Sequence, residues 1–189
     1  MYDQTLTDKI LSKSFLLLVP KWLKPNAFTW FRFISIPFVI WLLLYKHLSY
    51  GFALFIISAF SDAIDGSLAR TRNQVTEWGK TFDPLADKLL IGSATLILVS
   101  KYINIYLAAT IVIVELFLIG GAYYRLKVLG VPIQAEMSGK VKMVLQSVGL
   151  GSLLVSVIFN LPAMLIVATY LLYVSIVFAI ISLVVHKSI

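Results

Sequence analysis

Apolar positions in this chain neither alternate with polar ones nor recur every third or fourth residue beside a wet face. They run in solid blocks: "AFTWFRFISIPFVIWLLLY" at 27–45, "YGFALFIISAF" at 50–60, "LLIGSATLILVS" at 89–100, "INIYLAATIVIVELFLIGGAYY" at 103–124, "VLQSVGLGSLLVSVIFNL" at 144–161 and "LPAMLIVATYLLYVSIVFAIISLVV" at 161–185. A helix that is apolar all round belongs in a core or a bilayer. A bilayer crossing takes about 20 mostly apolar residues. The pattern therefore predicts an all-α integral membrane protein, with about six transmembrane helices over residues 25–189 in a single membrane domain.

The first 24 residues read differently. Leu6, Ile10, Leu11, Phe15 and Leu18 fall at helical spacing, opposite Lys9 and Lys13. This predicts an amphipathic helix lying on an anionic membrane surface; a polar tail is the plainer alternative. The segment has no basic start followed by an apolar core and a small-residue cleavage site, so it does not read as a cleaved signal.

Composition narrows the class further. Of 189 residues, 60% are hydrophobic, against roughly 45–50% in soluble domains, so little chain is left for a soluble domain. The net charge of +7 is not a nucleic-acid signal, because the basic residues sit at block ends. Lys9, Lys13, Lys21 and Lys24 precede the first block, Arg70 and Arg72 follow the second, and Arg125 and Lys127 follow the fourth. Lys140 and Lys142 precede the fifth, and Lys187 closes the chain. The opposite ends carry only Lys46 and Lys101. The positive-inside rule then places both termini and this basic rim in the cytoplasm, in a bacterial-type inner or cell membrane. Cysteine is absent, which excludes thiolate chemistry and a disulfide framework.

One polar stretch stands out against this background: "SDAIDGSLARTRNQVTEWGKTFDPLADKLL", residues 61–90, with Asp62, Asp65, Asp83 and Asp87. A charged group in hydrocarbon costs at least about 3 kcal/mol on insertion scales. Asp62 and Asp65 are three apart, and Asp83 and Asp87 four apart, so each pair shares a helix face. Four like charges at similar depth stay ionised only beside cations. All-oxygen donors without Cys or His suit Mg²⁺, Mn²⁺ or Ca²⁺, and two metals about 4 Å apart can share such a set. Gly66 and Gly79 leave room for close approach, and Arg70 can grip a phosphate oxygen bidentately. Pro84 sits either in an early turn of its helix or at a kink.

The spacing Asp62-x2-Asp65-Gly66-x2-Ala69-Arg70-x8-Gly79-x3-Asp83-x3-Asp87 resembles the signature of the CDP-alcohol phosphotransferase family at every position. The resemblance implies a membrane enzyme, usually a homodimer, that moves a phosphate-linked group from a CDP-linked donor to an alcohol and releases CMP. It implies a Mg²⁺ or Mn²⁺ site, of the two-metal kind, held by Asp62, Asp65 and Asp83. Asp87 would be a further metal neighbour and the catalytic general base. Asp62, Asp65, Gly66, Ala69, Arg70 and Gly79 would form the nucleotide-binding part, and CDP-diacylglycerol would be the donor.

Two further stretches bear on the acceptor. "PNAFTWFRFISIP" (25–37) resembles the first span of the glycerol-phosphate and cardiolipin branches and makes Asn26, Thr29 and Arg32 candidate substrate contacts. Asn26 as a plain helix cap and Arg32 as an interfacial snorkeller stay open as alternatives. "SGKVKMVLQSVG" (138–149) resembles the G-K-x-K-T-x-x-Q segment of phosphatidylglycerolphosphate synthases, with Met143 in place of Thr. Cations at a helix start gain nothing from the helix dipole, so Lys140 and Lys142, with Gln146 nearby, fit an anionic ligand such as the phosphate of sn-glycerol 3-phosphate; topological anchoring is the alternative. Glu115 is a candidate contact on the fourth block, where "ELFLIGGAYYRLKVLG" (115–130) looks as much like the cardiolipin synthases of the same family. The expected reaction forms phosphatidylglycerolphosphate. Phosphatidylglycerol or inositol phosphate as acceptor is the alternative, and a divalent-cation transporter a distant one.

Overall fold

The structure, a computed structural model, describes residues 20, 25–72, 74, 76–124, 128, 130 and 137–187. The expected interfacial helix over 1–24 lies outside the described residues, as do Arg125 and Lys127. Six long helices follow one another: α1 (Asn26–Leu44), α2 (Leu48–Thr71), α3 (Glu77–Tyr102), α4 (Ile105–Tyr124), α5 (Met137–Phe159) and α6 (Pro162–Lys187). Among the described residues there is no strand.

All but α3 are long and apolar enough to cross a membrane by length and composition. The exception is long enough, at 26 residues, but Asp83, Asp87, Lys88 and Lys101 interrupt its apolar run. The helices α2, α3 and α5 also extend well beyond the apolar blocks that announce them. Backbone hydrogen bonding continues through "SDAIDGSLART", "EWGKTFDPLADK" and "MSGKVKM", because helix formation needs no apolar side chain once the turn before it is built.

The connections are short where the chain reverses. Lys46 (φ 64°) turns α1 into α2, and Asn160 (φ 53°) turns α5 into α6. Asn tolerates this left-handed conformation better than most residues. Asn104 opens α4 by accepting the Tyr106 N–H on its side-chain oxygen at 2.7 Å, an N-cap.

The chain divides into two compact units, Met1–Leu90 and Ile91–Ile189, with the boundary inside the continuous helix α3 rather than in a linker. Within the first unit, α1 packs on α2. Val39, Leu43, Phe55 and Leu68 are buried there, and the hydroxyls of Ser35 and Ser58 meet at 2.7 Å between the helices. Small and hydroxyl-bearing residues do this work in membrane proteins, where lipid is as apolar as Leu and burial alone drives little association. Within the second unit, α6 packs on α5 and on α4. A Cβ at Gly149 of α5 would lie 3.1 Å from Leu172 Cγ and 3.5 Å from the Ala168 carbonyl oxygen of α6, so a larger residue there would push the Leu172 side chain by a few tenths of an ångström.

Candidate active site

The first unit gathers its charge around one residue. Arg32 lies two turns into α1 and is completely buried (0% exposed). One terminal nitrogen stands 2.9 Å from Asp62 Oδ1, 3.5 Å from Asp87 Oδ1 and 3.3 Å from the Asp83 carbonyl oxygen. The other donates to Asp65 Oδ2 at 2.9 Å. Thr29, one turn before Arg32 on α1, donates from Oγ1 to Asp83 Oδ1 at 2.6 Å. The pairs expected at i,i+3 on α2 and i,i+4 on α3 thus meet, with a guanidinium between them.

The start of α3 is fixed against the start of α1. Thr76 caps α3 by accepting the Gly79 N–H at 3.0 Å, and its hydroxyl donates to Asn26 Oδ1 at 3.0 Å. A Cβ on Gly79 would stand 3.1 Å from Thr76 Oγ1, 3.2 Å from Asp83 Oδ2 and 3.6 Å from Asn26 Oδ1. Glycine at 79 therefore lets three polar side chains converge. Asn26 makes no side-chain cap of its own helix, and Arg32 does not snorkel: both plainer alternatives fail on geometry. Pro84 lies eight residues into α3 rather than in its opening turn, so it removes the hydrogen bond to the carbonyl of residue 80. On α2, the Arg70 guanidinium lies over Gly66, 3.3 Å from where a Cβ would be; Ala69 is half-buried beside it.

An aromatic ladder runs beside this cluster. Trp30 stacks on Trp78 at 5.5 Å between ring centres, and Trp78 on Phe82 at 4.7 Å. The sequence marked neither this ladder nor Thr76. Thr76 directly before the acidic Glu77 was the available signal for the cap.

The second unit holds the other candidate residues. Lys142 is buried and paired with Glu115 across α5 and α4. Glu115 Oε1 is buried without a hydrogen-bond partner. Gln146, one turn beyond Lys142, is buried as well, whereas Lys140 is exposed. Residues two apart on a helix do not face each other, so the structure does not bring Lys140 and Lys142 onto one face.

Three carboxylates meet the one Arg32 guanidinium, and every donor in the set is a hard oxygen. That chemistry fits a hard divalent cation. Among the described residues no three acidic or histidine side chains form a ready-made ligand cluster; the Asp62, Asp65 and Asp87 carboxylates converge on Arg32 instead.

With this geometry in hand, comparison with known proteins gives a consistent answer. Residues 22–183 match the family described as CDP-alcohol phosphatidyltransferase. The chain is 35% identical over 134 residues to the CDP-diacylglycerol–glycerol-3-phosphate 3-phosphatidyltransferase of Rickettsia typhi, covering 69% of this chain and 75% of that protein. The Bacillus subtilis protein of the same name is 38% identical over 112 residues, covering 59% of this chain and 56% of that one. The Salmonella choleraesuis protein is 34% identical over 140 residues, with 69% and 75% covered. Members of this family generally depend on a divalent metal. A cation transporter is thereby set aside, and the chain belongs to the CDP-alcohol phosphatidyltransferase family.

Proposed function

We propose that this protein transfers the phosphatidyl group of CDP-diacylglycerol to sn-glycerol 3-phosphate, releasing CMP and forming phosphatidylglycerolphosphate. The observation that carries the reading is the convergence of the Asp62, Asp65 and Asp87 carboxylates and the Asp83 backbone carbonyl on one buried guanidinium, with the Asp83 carboxylate held by Thr29. The acceptor follows the activity named for the relatives in Rickettsia typhi, Bacillus subtilis and Salmonella choleraesuis. It favours glycerol 3-phosphate over phosphatidylglycerol or inositol phosphate.

Asp62, Asp65 and Asp83 would hold the Mg²⁺ or Mn²⁺, with Asp87 as a further metal neighbour. When bound, the metal supplies Lewis-acid polarisation of the diphosphate and stabilises the charge on the departing phosphate. Asp87 takes the proton of the acceptor hydroxyl. The freed oxygen attacks the β-phosphorus, the bond to the CMP oxygen breaks, and CMP leaves with that electron pair. Gly66, Ala69, Arg70 and Gly79 bind the nucleotide, with Asn26 fixing Gly79 through Thr76, and Thr29 fixing Asp83, beside it. Lys142, with Gln146 one turn beyond it, binds the acceptor phosphate through a charge-assisted hydrogen bond, and the exposed Lys140 draws the anion in electrostatically. Glu115 holds the Lys142 ammonium in place.

The active site and both termini face the cytoplasm, as the clustering of Lys and Arg at alternate helix ends supports. Residues 1–189 act as one catalytic domain, assembled as a homodimer; cross-linking in native membranes tests the assembly. The experiment for the reaction is CMP release from CDP-diacylglycerol by purified protein with each acceptor in turn. Glycerol 3-phosphate should support release. Release with phosphatidylglycerol or inositol phosphate alone would overturn the acceptor and keep the reaction class.

A further inference from the structure

We infer that Arg32 competes with the divalent metal for the carboxylates of Asp62 and Asp65, and so keeps the metal weakly held until the anionic donor arrives. The inference rests on the metal-site reading above and adds a function to a residue that reading leaves unassigned.

Three observations carry it. The guanidinium spends its terminal nitrogens on the oxygens a metal would need: Asp62 Oδ1 and Asp65 Oδ2, each at 2.9 Å, and Asp87 Oδ1 at 3.5 Å. Arginine stays protonated, so a metal at the same oxygens meets a fixed positive charge that cannot be shed. The third observation is a spare donor: Arg32 Nε is buried and has no hydrogen-bond partner. A purely structural arginine in so dry a place gains nothing from an unused N–H, which ordinarily costs free energy. A planar fork with one donor to spare is suited to an incoming phosphate oxygen.

The consequence is a linkage. If Arg32 and the metal share Asp62 and Asp65, metal loading requires the guanidinium to give up part of its contact. A diphosphate repays that loss by offering a new anionic partner. Metal and nucleotide then bind cooperatively, and the coupling passes through Arg32. Reciprocity requires that each ligand raise the affinity of the other by the same factor.

The test is Mn²⁺ binding to detergent-purified protein, read by electron paramagnetic resonance of free Mn²⁺, with and without CDP. The wild type should bind Mn²⁺ weakly alone and more tightly with CDP, by about 5–150-fold, as is typical of coupled sites. Arg32→Lys keeps the charge but not the two-armed fork. It should raise Mn²⁺ affinity in the absence of CDP and shrink the gain that CDP brings. Arg32→Met should do both more strongly. Should Arg32→Met fail to fold with the Asp62, Asp65 and Asp87 carboxylates deprived of their guanidinium, the Arg32→Lys measurement decides the matter alone. Unchanged or weaker Mn²⁺ binding in Arg32→Lys, with a wild-type site that does bind Mn²⁺, overturns the competition and leaves the metal site standing. Failure of the wild type to bind Mn²⁺ even with CDP overturns both.

Discussion

The two compact units bury charge in opposite ways. In the second, Lys142 meets Glu115 one to one, and the neighbouring buried polar groups are serines, a threonine and a glutamine. In the first, Arg32 meets carboxylates from Asp62, Asp65 and Asp87 and the backbone of Asp83, whose own carboxylate is held by Thr29. A balanced pair is what folding tolerates in a low-dielectric interior. An unbalanced cluster is not explained by folding, since like charges within a few ångströms destabilise one another. The difference teaches that imbalance, rather than burial of charge as such, marks where the chemistry is done.

The sharpest way to break this comparison is to remove charge from the unbalanced side. Asp87→Asn should lower turnover by about 10²–10⁴-fold, the usual contribution of a general base, while Mn²⁺ and CDP binding persist. More than a tenth of wild-type turnover at saturating metal would end the assignment of Asp87 as base. Asp62→Ala or Asp65→Ala should lose metal and donor binding together, seen by calorimetry with CDP-diacylglycerol in detergent.

Next in size comes the balanced pair. Lys142→Ala leaves Glu115 buried and uncompensated, which typically costs about 3–5 kcal/mol, and should appear as a lower thermal midpoint. The neutral double variant Lys142→Met with Glu115→Gln should recover stability without recovering affinity for glycerol 3-phosphate. Recovery of both would show that the pair only packs.

Two glycine substitutions separate the units more gently. Gly149→Ala forces Leu172 aside at 3.1 Å and should cost about 1–3 kcal/mol by overpacking, with the KM for the donor unchanged. Gly79→Ala crowds Thr76 and Asp83 and should raise the donor KM several-fold at a smaller cost in stability. The reverse pattern would contradict the division of labour. The smallest effect expected is Lys140→Ala. An exposed side chain usually moves stability by no more than about 0.5 kcal/mol, so only the KM for glycerol 3-phosphate should rise.

Much of this was legible in the sequence, for identifiable reasons. Blocks such as 103–124 and 161–185 are apolar all round, so hydropathy alone located α4 and α6 to within about two residues. The block at 89–100 found only the later part of α3, because charged residues recur through the stretch from Glu77 to Lys88 that completes the helix. The carboxylate pairs were legible because i,i+3 and i,i+4 spacing fixes a helix face. Arg32 at their centre was not, because nothing local distinguishes an arginine that points inward from one that reaches for headgroups. The pairing of Glu115 with Lys142 joins positions 27 residues apart on two helices, and no periodicity encodes such a contact.

The most direct test of the central claim, that the unbalanced cluster is a metal-dependent transfer site, is product formation from CDP-diacylglycerol and glycerol 3-phosphate with Mg²⁺ and with EDTA. The account predicts CMP and phosphatidylglycerolphosphate in equal amounts with Mg²⁺ and neither with EDTA. Turnover at the same rate in EDTA, or CMP released without the lipid product, would contradict it.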